Sequence, residues 1–151
     1  MTRYLLAGLL AFALVLAVAA PAHAACTIST FPVTFGLYNV FAATPLDSTG
    51  SVTYRCTPIG LLVRISLDRG GAPTFNPRRM LKGAEALTYN LYRDAARTTI
   101  WGDGTGGTQI YSVIVTPPAR PVDVPIYGRI PSGQDVTAGT YSNTITATIQ
   151  F

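Results

Sequence analysis

The last eleven residues, 141–151, alternate apolar and polar side chains up to the end of the chain. The apolar face carries Tyr141, Ile145, Ala147, Ile149 and Phe151, and the other face carries mainly threonine. A period of two predicts a half-buried strand, and threonine and isoleucine suit a pleated surface. No residue follows Phe151 to form a hairpin. The main question is therefore which strand covers the edge of this one.

Similar short apolar runs, separated by turn-forming residues, fill the rest of the chain. We predict a strand through Leu87 and Leu91 and others over residues 26–35 (interrupted by Pro32), 50–56, 61–67, 98–101, 109–115 and 122–130. The turn at residues 57–60 predicts a hairpin between two of them, and residues 68–83 read as a loop. No amphipathic segment of helical length follows residue 25. The pattern predicts an all-β protein of the size of an immunoglobulin-like β-sandwich.

Residues 1–24 have the pattern of a secretory signal peptide. Arg3 precedes an uncharged apolar run, and Ala22-His23-Ala24 is a small-x-small cleavage site. An uncleaved anchor helix is the first alternative, and Pro21 argues against it. Lipidation at Cys26 is the second, and His23 stands where an aliphatic residue is usual. We expect cleavage after Ala24, which leaves residues 25–151 as a single exported domain.

Cys26 and Cys56 are the only two cysteines. In an oxidising compartment this even count favours a disulfide. Closing a loop of about thirty residues should stabilise the fold by about 3 to 4 kcal/mol in the chain-entropy model. A redox-active pair is the alternative, but the spacing is not Cys-x-x-Cys.

Composition excludes several function classes. The only histidine, His23, lies in the predicted signal peptide, and Glu85 is the only glutamate. Without imidazole, a Ser-His-Asp triad and a histidine metal site are both excluded. The basic residues are mostly scattered, with no stripe of the kind that nucleic acid binding needs. We therefore predict no enzyme activity, no catalytic or metal-binding residues, no cofactor and no nucleic acid partner.

Two further motifs have a functional and a structural interpretation. Gly102, Gly104 and Gly107 match G-x-G-x-x-G, but a strand rather than a helix is predicted after them, which favours a loop. Arg78 and Arg79, with Trp101, form a candidate ligand surface for an anion or a sugar. Solvated or ion-paired arginines and a core tryptophan are the alternatives.

Four segments in this order resemble the spore coat protein U domain family, which is shared with subunits of archaic chaperone-usher pili. They are Phe75-Asn-Pro-Arg-Arg-Met80, Leu87-Thr-Tyr-Asn-Leu-Tyr-Arg-Asp94, Trp101-Gly-Asp-Gly-Thr-Gly-Gly-Thr108 and Tyr127-Gly-Arg-Ile-Pro-Ser-Gly-Gln134, leading into the terminal strand. The resemblance implies an incomplete, pilin-like sandwich that lacks its final strand. It also implies a periplasmic chaperone, an outer-membrane usher and neighbouring pilin-like subunits as partners, and a final place on the cell surface or in the medium.

On this interpretation, the apolar face of residues 141–151 forms one wall of a groove for a partner strand. A polymerising subunit also donates a strand from an extension before its first cysteine. Here only Ala25 would precede Cys26, so we expect a tip, capping or non-polymerising subunit. The alternative function is a self-complete carbohydrate-binding or adhesin sandwich with a glycan ligand.

Overall fold

The computed structural model describes residues 23–117 and 120–151. Eight strands and no helix lie in this part of the chain: β1 (Ala25–Phe31), β2 (Leu46–Thr57), β3 (Leu62–Leu67), β4 (Arg78–Lys82), β5 (Glu85–Tyr92), β6 (Tyr111–Ile114), β7 (Val122–Ile130) and β8 (Ala147–Gln150). Apart from residues 23 and 24, the predicted signal peptide lies outside the described residues. Within them, no helix is long and apolar enough to span a membrane.

The strands form two antiparallel sheets. The larger sheet has five strands in the order β1-β2-β7-β5-β4, and the smaller has three in the order β6-β3-β8. Alternate side chains of both sheets meet in one core around Trp101, Ile65, Leu67, Val52 and Ile130. The prediction of an all-β sandwich is confirmed.

The predicted hairpin between the second and third strands is wrong. β2 lies in the five-stranded sheet and β3 in the three-stranded sheet, so residues 57–60 connect the two layers. Val52 and Tyr54 of β2 and Val63 and Ile65 of β3 are all at most 4% exposed. Each strand has one fully apolar face, and these faces are buried most completely when they lie in opposite sheets.

Three other predicted boundaries also differ. The predicted loop over residues 68–83 contains β4, which pairs with β5 along its whole length. Residues 98–101 form no strand, and only isolated bridges at Ile100 and Trp101 remain. In the terminal segment only Ala147–Gln150 is a regular strand, preceded by a bridge between Ser142 and Leu81.

After β1, the chain crosses the inner face of the larger sheet at two glycines. A Cβ atom at Gly128 would lie 2.6 Å from the Val33 side chain, and one at Gly50 would lie 2.6 Å from the Phe31 carbonyl oxygen. Only glycine leaves room for this close approach. The crossing puts residues 31–35 opposite the terminal segment and so creates the two walls of the groove described next.

Candidate functional site

The terminal segment is bonded to both sheets along one side. Ser142 exchanges two backbone hydrogen bonds with Leu81 of β4, at 2.8 and 3.1 Å. Further along, the Asp68 N–H donates to the Thr146 carbonyl, and the Thr146 N–H donates to Asp68 Oδ1, each at 3.0 Å. β8 then pairs with β3 from Leu67↔Ala147 to Arg64↔Gln150.

The other edge of β8 is unpaired. β8 is the last strand of the smaller sheet, and no strand among residues 23–117 and 120–151 lies beyond it. Backbone groups of successive residues point to opposite edges of a strand. Because Thr146 bonds toward the β3 side, the N–H and C=O groups of Ala147 and Ile149 point to the free edge. They can pair with an added strand.

An apolar groove lies beside this edge. A cavity of about 180 Å³ separates residues 30–35 from Asn143, Ile145 and Ala147, with Leu91 and Ile126 among its lining residues. A second cavity, of about 720 Å³, continues between residues 33–41 and 136–143. Val33, Phe35, Met80 and Asn143 line both cavities, so the two are adjacent, and we refer to them together as the groove.

Polar contacts fix the walls of the groove. On the first wall, Ser48 Oγ donates to the Thr34 carbonyl at 2.6 Å, and the Tyr38 hydroxyl donates to the Pro131 carbonyl at 3.0 Å. On the opposite wall, the Thr137 hydroxyl and N–H donate to the Glu85 carboxylate at 2.5 and 2.6 Å. These bonds from Thr137, the hydroxyl first, lower the pKa of Glu85 from 4.5 to about 2.

Lys82 makes further contacts with the second wall. It forms an ion pair with Glu85 at 3.2 Å, donates to the Ala138 carbonyl at 2.9 Å and lies 5.2 Å from the centre of the Tyr141 ring. The turn between β4 and β5 is thereby tied to the loop that leads into the terminal segment. The groove is therefore bordered by fixed backbone on both sides.

Three of the five residues predicted for the groove line it: Tyr141, Ile145 and Ala147. Ile149 lies further along β8, opposite Ile65, and Phe151 is 51% exposed at the end of the chain. Neither of these two lines the cavities. Asn143 lines both cavities and was missed because it is polar. Its position on the apolar face of the alternation was the available signal.

Three comparisons with known proteins bear on the family and the fold of this chain. The family model of the Spore Coat Protein U domain matches residues 12–148. The chain belongs to this family. It is 35% identical over 130 residues to Protein U of Myxococcus xanthus, covering 78% of this chain and 70% of that protein.

A solved structure supports the fold of this Spore Coat Protein U domain. It is a chain from the crystal structure of the CsuC–CsuE chaperone–tip adhesion subunit pre-assembly complex from archaic chaperone-usher Csu pili of Acinetobacter baumannii. The TM-score is 0.59 at 22% identity, with 85% of this chain and 40% of that chain covered. The Spore Coat Protein U domain is therefore a pilin-like sandwich. Its family is one of structural proteins and not of enzymes.

The disulfide predicted for this Spore Coat Protein U domain is confirmed. Cys26 and Cys56 are bonded, and they face each other in the register of β1 and β2. Since Ala25 already pairs with Thr57, the domain is held in its own sheet from the first residue of β1.

The candidate ligand surface is not formed. Arg78 and Trp101 are both 0% exposed, and only Arg79 lies on the surface. The Arg78 guanidinium donates to the carbonyls of Asp68 and Trp101 and to Asn90 Oδ1, at 2.6 to 3.0 Å. Burial lowers the pKa of Arg78. Its sequence neighbour Pro77 and its charge had suggested a loop, whereas its side chain is part of the core.

The glycine-rich stretch at Gly102–Gly107 is a loop that leads into β6. Thr105 donates its N–H and its hydroxyl to Asp103 Oδ1, at 2.9 and 2.6 Å. Since a strand and not a helix follows, the helix N-terminus that would hold a pyrophosphate is missing from this motif.

Proposed function

We propose that this domain accepts a β-strand from a partner protein during assembly of a chaperone-usher pilus or a surface coat. The observation that carries the proposal is the free edge of β8 beside this groove. An added strand would pair with the backbone of Ala147 and Ile149, and its alternate side chains would enter the groove.

The expected gain is large relative to the stability of one domain. About four side chains at roughly 1.5 to 3 kcal/mol each give about 6 to 12 kcal/mol before ordering costs. Whole domains are stable by only about 5 to 15 kcal/mol. The free subunit is therefore of low stability, and a carrier that fills the groove would prevent aggregation through the exposed edge.

We assign this carrier role to a periplasmic chaperone and the later steps to an outer-membrane usher and neighbouring pilin-like subunits. Export would begin with cleavage of the signal peptide after Ala24 and end at the cell surface or in the medium. Chaperone and usher expressed with this chain should increase its amount in the outer fraction. If neither the chaperone nor the usher changes this amount, the assignment is contradicted.

We further propose that the subunit is a tip, a cap or a non-polymerising form. Ala25 is paired in β1 and Cys26 is bonded to Cys56, so a donated strand would have to precede Ala25. Cleavage after Ala24 would remove the residues before it. The intact mass of the exported chain tests this point, because a start well before Ala25 would contradict it.

The central test uses the exported domain and a synthetic peptide of alternating valine and threonine. Filling the groove should raise the melting temperature and add strand signal, while a scrambled peptide of the same composition should do neither. An unchanged melting temperature would refute the proposal. A stable dimer that the peptide cannot dissociate would assign the edge to a second copy and would also contradict it.

A glycan-binding function is less well supported. Of the three residues that suggested it, Arg79 alone is exposed.

A further inference from the structure

One polar side chain lies in the middle of the groove. Four residues line both of its cavities, and three of them, Val33, Phe35 and Met80, are apolar. The fourth is Asn143, which follows the two-residue alternation of the inward-facing Tyr141 and Ile145. An amide at this position is unexpected in a surface that only selects apolar side chains.

The Asn143 amide is only partly satisfied. Its Nδ2 donates to the Tyr89 hydroxyl at 3.0 Å, which is the one hydrogen bond of this side chain within residues 23–117 and 120–151. An asparagine side chain has two donor hydrogens and an oxygen with two lone pairs. One N–H and the Oδ1 atom therefore lack a partner among the described residues of the protein.

The surrounding residues hold the amide in place. Tyr89 is 4% exposed, and its ring packs edge-on against Phe35 at a centroid distance of 5.9 Å. On another side, a Cβ atom at Gly70 would lie 2.5 Å from both Asn143 Nδ2 and Asn143 Oδ1. The amide thus rests against a glycine and is oriented by a buried hydroxyl.

We propose that Asn143 selects a partner strand with a hydrogen-bonding side chain at one defined inward position and thereby fixes the register of that strand. This inference rests on the proposed function. A fully apolar strand would cover Asn143 Oδ1 and leave it without water or a partner, which is unfavourable. A partner strand shifted by two residues would keep the same side chains facing inward, but its polar side chain would no longer lie opposite Asn143.

The partner strand should have a defined pattern of inward side chains. Side chains on one face of a strand are about 6.7 Å apart. The strand should therefore carry asparagine, glutamine, serine or threonine opposite Asn143. Apolar side chains should flank it, opposite Ile145 and Ala147 on one side and opposite Tyr141 on the other.

The test is a peptide scan with the intact exported domain. The parent is an eleven-residue peptide with valine at every inward position, and in each derivative one inward valine is replaced by asparagine, whose amide both donates and accepts. We expect one derivative to bind about tenfold more tightly than the parent and the others to bind more weakly. The wild-type scan decides the inference without any protein variant.

A matched variant identifies the residue responsible. Asn143→Leu should remove the preference and make the parent the tightest ligand, whereas Thr144→Leu, on the exposed face, should keep the wild-type order. If the parent binds and every asparagine derivative binds more weakly, the inference is overturned while the proposed function stands. If neither the parent nor any derivative binds, the proposed function fails and the inference fails with it.

Discussion

The buried Arg78 should contribute strongly to the free energy of unfolding of the domain. Its guanidinium is 0% exposed and makes four hydrogen bonds, two to the Asp68 carbonyl, one to the Trp101 carbonyl and one to Asn90 Oδ1. Asn90 Oδ1 also accepts the N–H of Leu91 at 3.0 Å. Replacing Arg78 by methionine therefore leaves two carbonyls without these donors and retains most of the apolar volume.

The magnitude follows from these groups. Each unpaired buried carbonyl costs about 1 to 3 kcal/mol, or about 2 to 6 kcal/mol for two. Removing the buried charge offsets part of this loss of stability, because transferring the charge out of water opposed folding. We expect Arg78→Met to lower the free energy of unfolding by about 2 to 4 kcal/mol. Arg78→Lys should be nearly as destabilising, since an ammonium cannot reproduce the fork of donors.

Urea unfolding followed by circular dichroism and by the fluorescence of Trp101, the only tryptophan, measures the effect. Arg79→Met is the matched control because its side chain is exposed on the same strand, and we expect a change of at most about 0.5 kcal/mol. Equal stabilities of the two methionine variants would refute the role assigned to Arg78.

Three other predictions concern the groove, the disulfide and the pH dependence. Ala147→Trp should fill the groove and weaken binding of the alternating peptide at least about tenfold, since a displaced anchor alone is worth about 1.5 to 3 kcal/mol. The exposed Thr148→Trp should not weaken binding, and equal titration curves for the two variants would argue against the groove. Replacing Cys26 and Cys56 by alanine should lower the free energy of unfolding by about 3 to 4 kcal/mol, and an unchanged urea midpoint would contradict this. The pKa of Glu85 is lowered from 4.5 to about 2 in the folded state, so the ionised carboxylate stabilises the fold above pH 4.5 and this contribution disappears as the pH falls toward 2. Glu85→Gln should therefore flatten the curve of unfolding free energy against pH between 4.5 and 2. A curve parallel to that of the wild type would exclude this contribution.

The sequence was sufficient for the strands whose alternation is regular. Residues 50–56 and 61–67 have one apolar face each, and both are strands in the structure. Periodicity does not say which sheet a strand joins, and the turn at residues 57–60 was therefore mistaken for a hairpin. That decision depends on the burial of both apolar faces, which is a property of the whole core.

The buried polar residues could not be predicted in the same way. The turn-forming residues before Arg78 predict a loop, and arginine is almost never fully buried. The three acceptor residues of Arg78 are 10 to 23 positions away along the chain, so no local pattern indicates them. The sequence is compatible with Trp101 as a sugar platform or as a core residue, and in the structure its Nε1 donates to the Ile65 carbonyl in the core. The strand character of the terminal segment, by contrast, follows from its local alternation, whereas the missing neighbour strand is implied only by the family resemblance.

The attachment of the terminal segment to two sheets has a mechanical consequence. Ser142 is bonded to β4, and residues 146–150 are bonded to Asp68 and β3. Backbone hydrogen bonds of an antiparallel pair lie perpendicular to the strands. Tension applied along a strand seated beside β8 would load these bonds in shear, so that many must break together. The same tension would reach both layers of the sandwich. The subunit would therefore resist the force as one body, and its hydrogen bonds would not break one after another.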